Sequence, residues 1–201
     1  MNLIPIFPFI SMKNLCRYGA LLLVFLASGC RELLEPRPVD LLIDELVINE
    51  VSDVEAVRLG LYNAFRGIGA LKIVAGDFTA DFVQHNGTFT VFNELGNKRI
   101  TATNAAAESL WQSIYYTAYL ANFLLENIGK VSGLPENTRK QVTAEAHFLR
   151  GYAYFVGVHT FGDMPLVKTT DVTANRTIAK SSRADILALI LEDYEKALPD
   201  L

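Results

Sequence analysis

The sequence predicts an all-α fold built from antiparallel helix pairs, with one long irregular loop between the first two helices. Two observations predict it. Beyond residue 50, apolar residues recur at the three- and four-residue spacing of amphipathic helices in four separate segments. The last two segments also mix small residues with large aromatic ones, and helices approach to about 8–10 Å only where small residues leave room at the contact.

The first predicted helix follows the segment Ser52-Asp53-Val54-Glu55, which matches a capping box. Its apolar stripe ends near residues 67–69, where two glycines predict the end of the helix. Residues 70–103 are rich in Gly, Asn and Thr and are predicted to be largely irregular. Within them we expect a short helix or turn near residues 76–83 and a brief strand at residues 88–92.

Three further helices are predicted. The second spans residues 105–130, and the third spans residues 135–161, with Gly162 as the residue that stops it. The fourth opens with a second capping box at residues 182–185 and ends at Pro199. Alternating large and small residues in such pairs are typical of tetratricopeptide-like, α-solenoid-like architecture, although no regular repeat period is visible.

The first 29 residues match a bacterial lipoprotein signal peptide. Lys13 and Arg17 supply its positive charge, and the apolar run of residues 19–27 is too short to span a bilayer as a helix. Small residues then precede Cys30. We therefore expect cleavage before Cys30 and attachment of lipid to it, with more than one acyl chain holding the protein at a membrane.

Two points about this leader remain open, namely its type and its first residue. An ordinary secretory signal with a chance cysteine would also fit. Residues 1–11 carry no charge and two prolines, which favours Met12 as the true start.

Residues 30–49, with Pro36 and Pro38, are predicted to be an extended tether that leads to one helical domain at residues 50–201.

Charge and cysteine content exclude several classes of function. Without the leader's Lys13 and Arg17, the formal charge falls from −4 to −6, and basic residues do not cluster. The chain therefore lacks the electrostatic footprint of a nucleic-acid-binding protein. Cys16 leaves with the leader, so Cys30 is the one cysteine of the mature chain, which excludes an intrachain disulfide or a cysteine-based metal site.

Two runs of residues resemble the SusD/RagB family. Residues 144–155 read AEAHFLRGYAYF and residues 161–167 read FGDMPLV, whereas the usual family forms are AEA-x-FLRA-x-x-YF and a fGdvPlv turn. Residues 56–65, AVRLGLYNAF, and the segment 111–128 resemble the two preceding family helices. The lipoprotein leader is also typical of the family. The resemblance covers essentially all of residues 30–201.

This resemblance implies a function. Family members are lipoproteins of the outer membrane of Bacteroidetes-type bacteria, which bind oligosaccharides or other nutrients at the cell surface. They deliver the ligand to SusC-like TonB-dependent transporters, and they are neither enzymes nor cofactor-dependent. Family members continue well beyond the position of Leu201, so we expect this chain to be an N-terminal portion, truncated at its C-terminus. The alternative function is a lipid-anchored helical-repeat scaffold that binds only protein partners.

The loop between residues 77 and 97 contains the best candidates for ligand contact. Aromatic faces suit the C–H surfaces of sugars, and amides or carboxylates suit their hydroxyls. Residues of these types are Asp81, Asn86, Phe89, Phe92, Asn93 and Asn97, with His85 between them. The structural alternative also stays open, in which the aromatic rings pack beneath the loop and the polar groups form its turns.

Other notable side chains are predicted to be structural. Trp111 and Tyr115 have core spacing on the second helix, whereas Tyr116 or Tyr119 could turn a ring outward. Arg150 lies in an apolar stretch of the third helix and requires a carboxylate partner such as Glu145, Asp163 or another acid.

No metal or catalytic site is expected. His85, His147 and His159 are far apart in the sequence and lack the spacing of metal ligands. The sequence contains no nucleophile–base motif, phosphate-binding glycine loop or pair of catalytic carboxylates. We therefore expect a binding protein and not an enzyme.

Overall fold

The computed structural model describes residues 48–201, so the predicted leader, Cys30 and nearly all of the predicted tether lie outside the described residues. The described part is helical apart from one very small sheet, which confirms the predicted fold class. Its elements, in chain order, are α1 Val51–Thr79, α2 Thr90–Gly96, α3 Ala105–Asn127, α4 Glu136–Phe161, β1 Met164–Pro165, α5 Val172–Asn175, β2 Lys180–Ser181 and α6 Arg183–Ala197. Short 3-10 turns extend α3 at Ile128–Lys130 and α6 at Leu198–Asp200.

The long helices form two antiparallel pairs. Helix α1 packs on α3, α3 packs on α4, and α4 packs on α6, while α1 also touches α4. This order of contacts is that of a tetratricopeptide-like solenoid, in which each element packs on its neighbours. The core has two parts, one around Leu61, Phe123 and Leu149 and the other around Ile114, Tyr154 and Ile186. None of the helices in the described residues is long and apolar enough to cross a membrane.

Helix α1 is longer than the sequence predicts. It continues past residues 67–69 to Thr79, so the predicted end of the helix is wrong. A glycine inside a helix costs about 1 kcal/mol relative to alanine. Here tertiary packing offsets that cost, because Ile68 is fully buried and Leu71 and Ala75 pack against the second part of the core. The packing of α1 against the core therefore determines where this helix ends.

The cap of α1 also differs from the prediction. The helix begins at Val51, so the predicted box of residues 52–55 lies inside it. Instead, Asp53 Oδ2 accepts hydrogen bonds from the backbone N–H groups of Asn49 and Glu50, both at 2.9 Å. These bonds lower the pKa of the Asp53 carboxyl below its usual value.

The remaining predicted helix ends are confirmed, and three of them have a local cap. Asn104 Oδ1 accepts from the N–H groups of Ala106 at 3.0 Å and Ala107 at 3.2 Å. Ser182 Oγ accepts from Asp185 N at 3.2 Å. Gly162 ends α4 with φ of 75°, a left-handed conformation that favours glycine.

No strand forms at residues 88–92, where the sequence predicts one. Helix α2 occupies most of this segment, and the turn predicted near residues 76–83 is the end of α1 together with the first residues of the loop that follows. The segment alternates apolar and polar residues, but Phe92 and Leu95 are also three apart. That spacing places both on one side of a helix, where Leu95 is buried and the Phe92 ring stacks on Phe78.

The connection from α4 to α6 folds back across α4. Strand β1 pairs antiparallel with β2, with Met164 opposite Ser181. Met164 is fully buried, and its Sδ would lie 2.6 Å from a Cβ added at Gly157. Since real Cβ atoms do not approach so closely, any side chain at position 157 would force the flexible Met164 thioether to shift.

Arg150 is the centre of a buried polar network. Its Nε and Nη2 donate to the two carboxylate oxygens of Asp193 at 2.8 and 2.6 Å, and its Nη1 donates to Asn122 Oδ1 at 2.7 Å. His147 Nδ1 lies 2.8 Å from Asp193 Oδ1. A side chain on α4 thereby joins α3 and α6, and the expected structural role of Arg150 is confirmed.

Neither Glu145 nor Asp163, the two acids that the sequence suggests by position, is the partner of Arg150. Glu145 instead pairs with Arg58 of α1, through two hydrogen bonds of 2.6 Å. Asp163 accepts from the backbone of Arg183 at 2.9 Å. The sequence could not distinguish these acids from Asp193, because Asp193 follows Arg150 by 43 residues and meets it only through helix packing.

The ionised form of Asp193 is stabilised where it lies. Burial alone would raise the pKa of its carboxyl. The hydrogen bonds from Arg150 and His147, together with the charge of Arg150, outweigh burial and hold the pKa below the usual value. The Asp193 side chain is fully enclosed, so it belongs to the packing between α4 and α6 and not to the surface.

Replacing Asp193 by Ala should strongly destabilise the protein. The substitution leaves the buried guanidinium of Arg150 without its carboxylate, a loss that costs about 3–5 kcal/mol in buried pairs. The free energy of unfolding, measured by urea titration and circular dichroism, should fall accordingly. Glu192→Ala is the matched control, since it removes a neighbouring acid whose pair with Lys196 is exposed, and it should change stability little. Equal losses in both variants would contradict this assignment.

Candidate ligand-binding site

The candidate site begins with a cluster of aromatic rings between the end of α1 and the start of α2. Phe78 and Phe92 stack with centroids 5.3 Å apart and planes 11° from parallel. The His85 ring lies 5.2 Å from Phe92 and 5.9 Å from Phe89, and Phe89 meets Phe92 edge-on at 6.2 Å. We call Phe78, His85, Phe89 and Phe92 the aromatic cluster. It ties the loop to both helices.

An ion pair closes the loop that carries this cluster. Lys98 Nζ donates to Asp81 Oδ1, which joins the two ends of the segment 81–98. Both residues have left-handed backbone conformations, with φ of 64° at Asp81 and 56° at Lys98. Such conformations are uncommon outside glycine, although aspartate adopts them more readily than lysine does. The paired positions therefore mark where the chain turns sharply out of α1 and out of α2.

His85 is fixed inside the loop by its own neighbours. Its Nε2 accepts a hydrogen bond from the backbone N–H of Phe89 at 3.3 Å. The ring lies close over Gly87, where an added Cβ would be 2.8 Å from two of its atoms. A side chain at position 87 would move the imidazole, so Gly87 helps to hold the aromatic cluster together.

A concave surface of about 300 Å³ opens beside the cluster. It is more polar than apolar and presents a carboxylate, amides and an imidazole next to the Phe92 ring. Its lining residues are Asp81, Val83, Gln84, His85, Phe92, Asn93, Gly96 and Asn97. Amides of this kind can donate to and accept from the hydroxyls of a sugar, and the carboxylate can accept from them.

The structure brings four of the six predicted contact residues to this surface and leaves two outside it. Asp81, Phe92, Asn93 and Asn97 line it together. Phe89 lies beside it with 69% of its surface exposed, and Asn86 is exposed on the loop. Phe92 is partly buried against Phe78, as the structural alternative for this ring expects.

The helix that carries Phe92 and Asn93 is anchored by a polar contact that the sequence does not reveal. Glu94 Oε2 accepts from Asn104 Nδ2 at 2.8 Å and from Thr101 Oγ1 at 3.0 Å. Asn104 also donates to Val91 O at 3.1 Å and is itself buried. Hydrogen bonds from Asn104 and Thr101 lower the pKa of Glu94 below its usual value. One asparagine thus caps α3 and positions α2.

A larger groove of about 590 Å³ is lined by residues of α1, α2, α3 and α4. Four segments that are distant in the sequence contribute to it, and for that reason sequence patterns do not reveal it. Its walls are mostly apolar, with Ile73 and Ile100 exposed at 62% and 47%. Lys72, Asp77 and His159 stand at its polar rim.

The other aromatic candidates are mainly structural. Trp111 packs on Tyr115 at 4.9 Å and on Phe161 at 5.2 Å, and the Tyr115 hydroxyl donates to Pro165 O at 2.7 Å. Burial raises the pKa of Tyr115 well above its usual value. Tyr116 turns its ring outward, 54% exposed, as anticipated. Within residues 48–201, no group of histidine, cysteine or acidic side chains is placed to hold a metal ion.

A family model decides the relationship of this chain to known proteins. The SusD-like model described as "Starch-binding associating with outer membrane" matches residues 40–200. The chain belongs to the SusD-like family. The resemblance seen in the sequence is therefore confirmed, and the family's description associates it with the outer membrane.

Curated SusD-like proteins match over nearly the whole chain. SusD-like protein P25 of Formosa agariphila is 26% identical over 187 residues, which cover 87% of this chain and 36% of P25. SusD-like protein P2 of the same organism is 27% identical over 192 residues, covering 90% of this chain and 37% of P2. The chain thus spans little more than a third of the length of these relatives.

Solved SusD-like structures share the fold. A laminarin-binding SusD-like protein superposes with a TM-score of 0.68 at 21% identity, covering 76% of this chain and 34% of that protein. A SusD-like protein from Bacteroides fragilis gives a TM-score of 0.62 at 22% identity, covering 83% of this chain and 32% of its own. At these identities the likeness establishes the helical architecture alone.

Replacing Asn104 by Ala should loosen the candidate site as well as the helix. The variant loses the cap of α3, a change that typically costs about 0.5–2 kcal/mol. It also removes the bonds to Glu94 and Val91 that hold α2. We expect a lower free energy of unfolding and faster limited proteolysis between residues 80 and 100. Thr103→Ala is the control, because this exposed neighbour bonds only to the Thr101 hydroxyl. Unchanged proteolysis in Asn104→Ala would contradict the anchoring role.

Proposed function

We propose that this chain is a cell-surface lipoprotein of the outer membrane that binds oligosaccharides and delivers them to a SusC-like TonB-dependent transporter. The match of residues 40–200 to a starch-binding, outer-membrane-associated family model is the observation that carries this proposal. Two structural neighbours support the ligand class. One is a laminarin-binding SusD-like protein, and the other was solved with a xylogluco-oligosaccharide.

The concave surface beside α2 is the proposed contact for the oligosaccharide. Asn93 and Asn97 are one helical turn apart and both line it, so a sugar lying along α2 could meet both amides. Asp81 would accept from hydroxyls, although Lys98 neutralises much of its charge. Phe92 and the neighbouring Phe89 provide apolar ring surface for C–H groups. Phe89 and Asn86 lie outside the lining and would contact only an extended ligand.

The proposed activity is binding and release, without covalent chemistry. A surface of about 300 Å³ encloses only part of an oligosaccharide, so much of the bound sugar would remain hydrated. Partial enclosure favours moderate affinity and rapid dissociation. Both properties suit a protein that must hand its ligand to a transporter.

The proposed anchor explains how the site would be held at the surface. Lipid on Cys30, followed by the proline-containing tether of residues 30–49, would leave the helical domain free to face outward. Two or more acyl chains give stable attachment, whereas one chain gives only reversible binding. The formal charge of the mature chain is −6, so net charge does not contribute to attachment to anionic lipid headgroups.

Oligosaccharide binding can be tested with a matched pair of variants. We expect titration calorimetry of the full chain to detect binding to at least one of laminarin, xyloglucan and malto-oligosaccharides. In the double variant Asn93→Ala, Asn97→Ala, affinity should fall about tenfold, since each lost hydrogen bond contributes roughly 0.5–1.5 kcal/mol. The control Asn63→Ala changes an exposed asparagine on α1, away from the concave surface, and should bind like the wild type.

The same titration separates the proposal from its alternative. If the full chain binds none of these glycans but co-purifies with a SusC-like transporter, the scaffold function is favoured. If it binds glycans and the double variant binds equally well, oligosaccharide binding stands but the proposed surface is wrong.

The lipid anchor can be tested by mass spectrometry of the protein isolated from the membranes of a Bacteroidetes-type bacterium. The mature N-terminus should be Cys30 and should carry a diacylglycerol and an additional acyl chain. The Cys30→Ser variant should appear in the soluble extracellular or periplasmic fraction. Mature wild-type protein that begins at another residue, or that bears an unmodified Cys30, would rule the anchor out.

A further inference from the structure

Asn86 is the one asparagine of the chain that is followed directly by a glycine. Asn86 and Gly87 lie in the irregular segment between α1 and α2, and both are exposed. The Asn86 amide is therefore adjacent to a backbone nitrogen that no side chain of its own residue shields. Two reactive groups held next to each other in one chain react far faster than the same groups on separate molecules.

Neither of these two groups is held by a hydrogen bond within the described residues. The hydrogen bonds of the loop involve neither the Asn86 amide nor the Gly87 N–H. Asparagine side chains commonly bond to the backbone two or three residues further on, as Asn104 does where it caps α3. Such a bond would hold the amide away from the next nitrogen. Because Asn86 lacks it, its side chain can rotate towards Gly87.

Two asparagines near the same loop are protected by these criteria. Asn93 lies within α2, where helical dihedral angles fix its backbone and the next N–H belongs to the helical hydrogen-bond pattern. Asn97 precedes Lys98, whose N–H donates to a backbone carbonyl at 3.2 Å. Both following residues also carry side chains. These two asparagines therefore serve as internal references for the reactivity of Asn86.

We propose that Asn86 and Gly87 form a site of spontaneous deamidation in the folded protein. The Gly87 nitrogen attacks Cγ of Asn86 and forms a new N–Cγ bond, while the proton of this nitrogen passes to solvent. The Cγ–Nδ2 bond then breaks, and the amide nitrogen takes up a proton from solvent and leaves as ammonia. The product is a five-membered cyclic imide.

Water opens this imide in either of two ways. Addition at Cγ breaks the new N–Cγ bond and leaves aspartate at position 86. Addition at the backbone carbonyl breaks the original peptide bond and leaves isoaspartate, in which the main chain runs through Cβ and Cγ. The net reaction consumes water and releases ammonia, and either product adds a carboxylate to the loop. The reaction needs no oxidant and does not depend on the proposed oligosaccharide.

The isoaspartate form would disturb the aromatic cluster. His85 and Phe89 lie on either side of the rearranged bond, with their rings 5.9 Å apart and the Phe89 N–H bonded to the imidazole. The His85 ring also packs closely over Gly87. Isoaspartate inserts one additional carbon into the backbone between these two rings, so their spacing must change. We therefore expect the modified loop to open more readily than the original one.

Peptide mapping of aged protein tests the site. The folded full chain is kept at neutral pH for several weeks, digested and analysed by mass spectrometry, with an enzymatic assay for isoaspartate. We expect the amide at position 86 to be lost at least about tenfold faster than those of Asn93 and Asn97, because glycine alone leaves the attacking nitrogen unshielded. An intact Asn86, or equal loss at all three positions, would overturn the proposal. Loss at position 86 only in urea-unfolded protein would also overturn it.

Asn86→Gln is the matched variant for the effect on the loop. It keeps a neutral amide in the same place, but its longer side chain would have to close a six-membered ring, so it should not react measurably in the same time. Fresh samples of both proteins should be cut equally by limited proteolysis between residues 80 and 100. After ageing, the wild type should be cut faster, since a loosened loop opens more often. Equal cleavage of aged samples in which the wild type is modified would overturn the effect on the aromatic cluster.

Discussion

The buried guanidinium of Arg150 is the constraint around which the helices are arranged. A charge placed inside an apolar helix contact must be paired, since an unpaired one costs several kcal/mol. Asp193 supplies the opposite charge from α6, and Asn122 supplies an amide oxygen from α3. Asn122 in turn donates to Val167 O at 3.1 Å, and the Tyr154 hydroxyl donates to the same carbonyl at 2.7 Å. One side chain therefore sets the distance between three helices and the path of the returning chain.

Much of the helical framework could be predicted from the sequence, because the signals that define it are local. Asn104, Ser182 and Gly162 fix the ends of helices through contacts within a few residues, and their roles were predictable. The end of α1 was not, since glycines at 67 and 69 signal a stop that packing against α3 and α4 overrides. The prediction of a strand at residues 88–92 was wrong for a different reason. Its apolar residues fit both strand and helix periods, and contacts distant in the sequence, such as the stack of Phe92 on Phe78, select the helix.

The candidate site was predictable in part. Residue type and loop position were enough to select Asp81, Phe92, Asn93 and Asn97, which the fold brings to one surface. The contacts that shape this surface were not predictable, because each joins residues distant in the chain. Lys98 pairs with Asp81 across 17 positions, and Asn104 reaches Glu94 across 10. The types of side chain in a loop can indicate a ligand-binding surface. The shape of that surface depends on side-chain contacts that form only when the helices pack.

The contact between Gly157 and Met164 has a consequence for how sequences of this kind can diverge. Because Gly157 has no Cβ, the Met164 thioether can lie against α4 at this position. A methyl group at position 157 would require the Met164 side chain to shift or a shorter residue to replace it, and a shorter residue beside Gly157 would leave a void. The two positions share a single volume, so they should vary together among related chains. This shared volume couples the last turns of α4, just beyond the motif at residues 144–155, to the turn motif at residues 161–167.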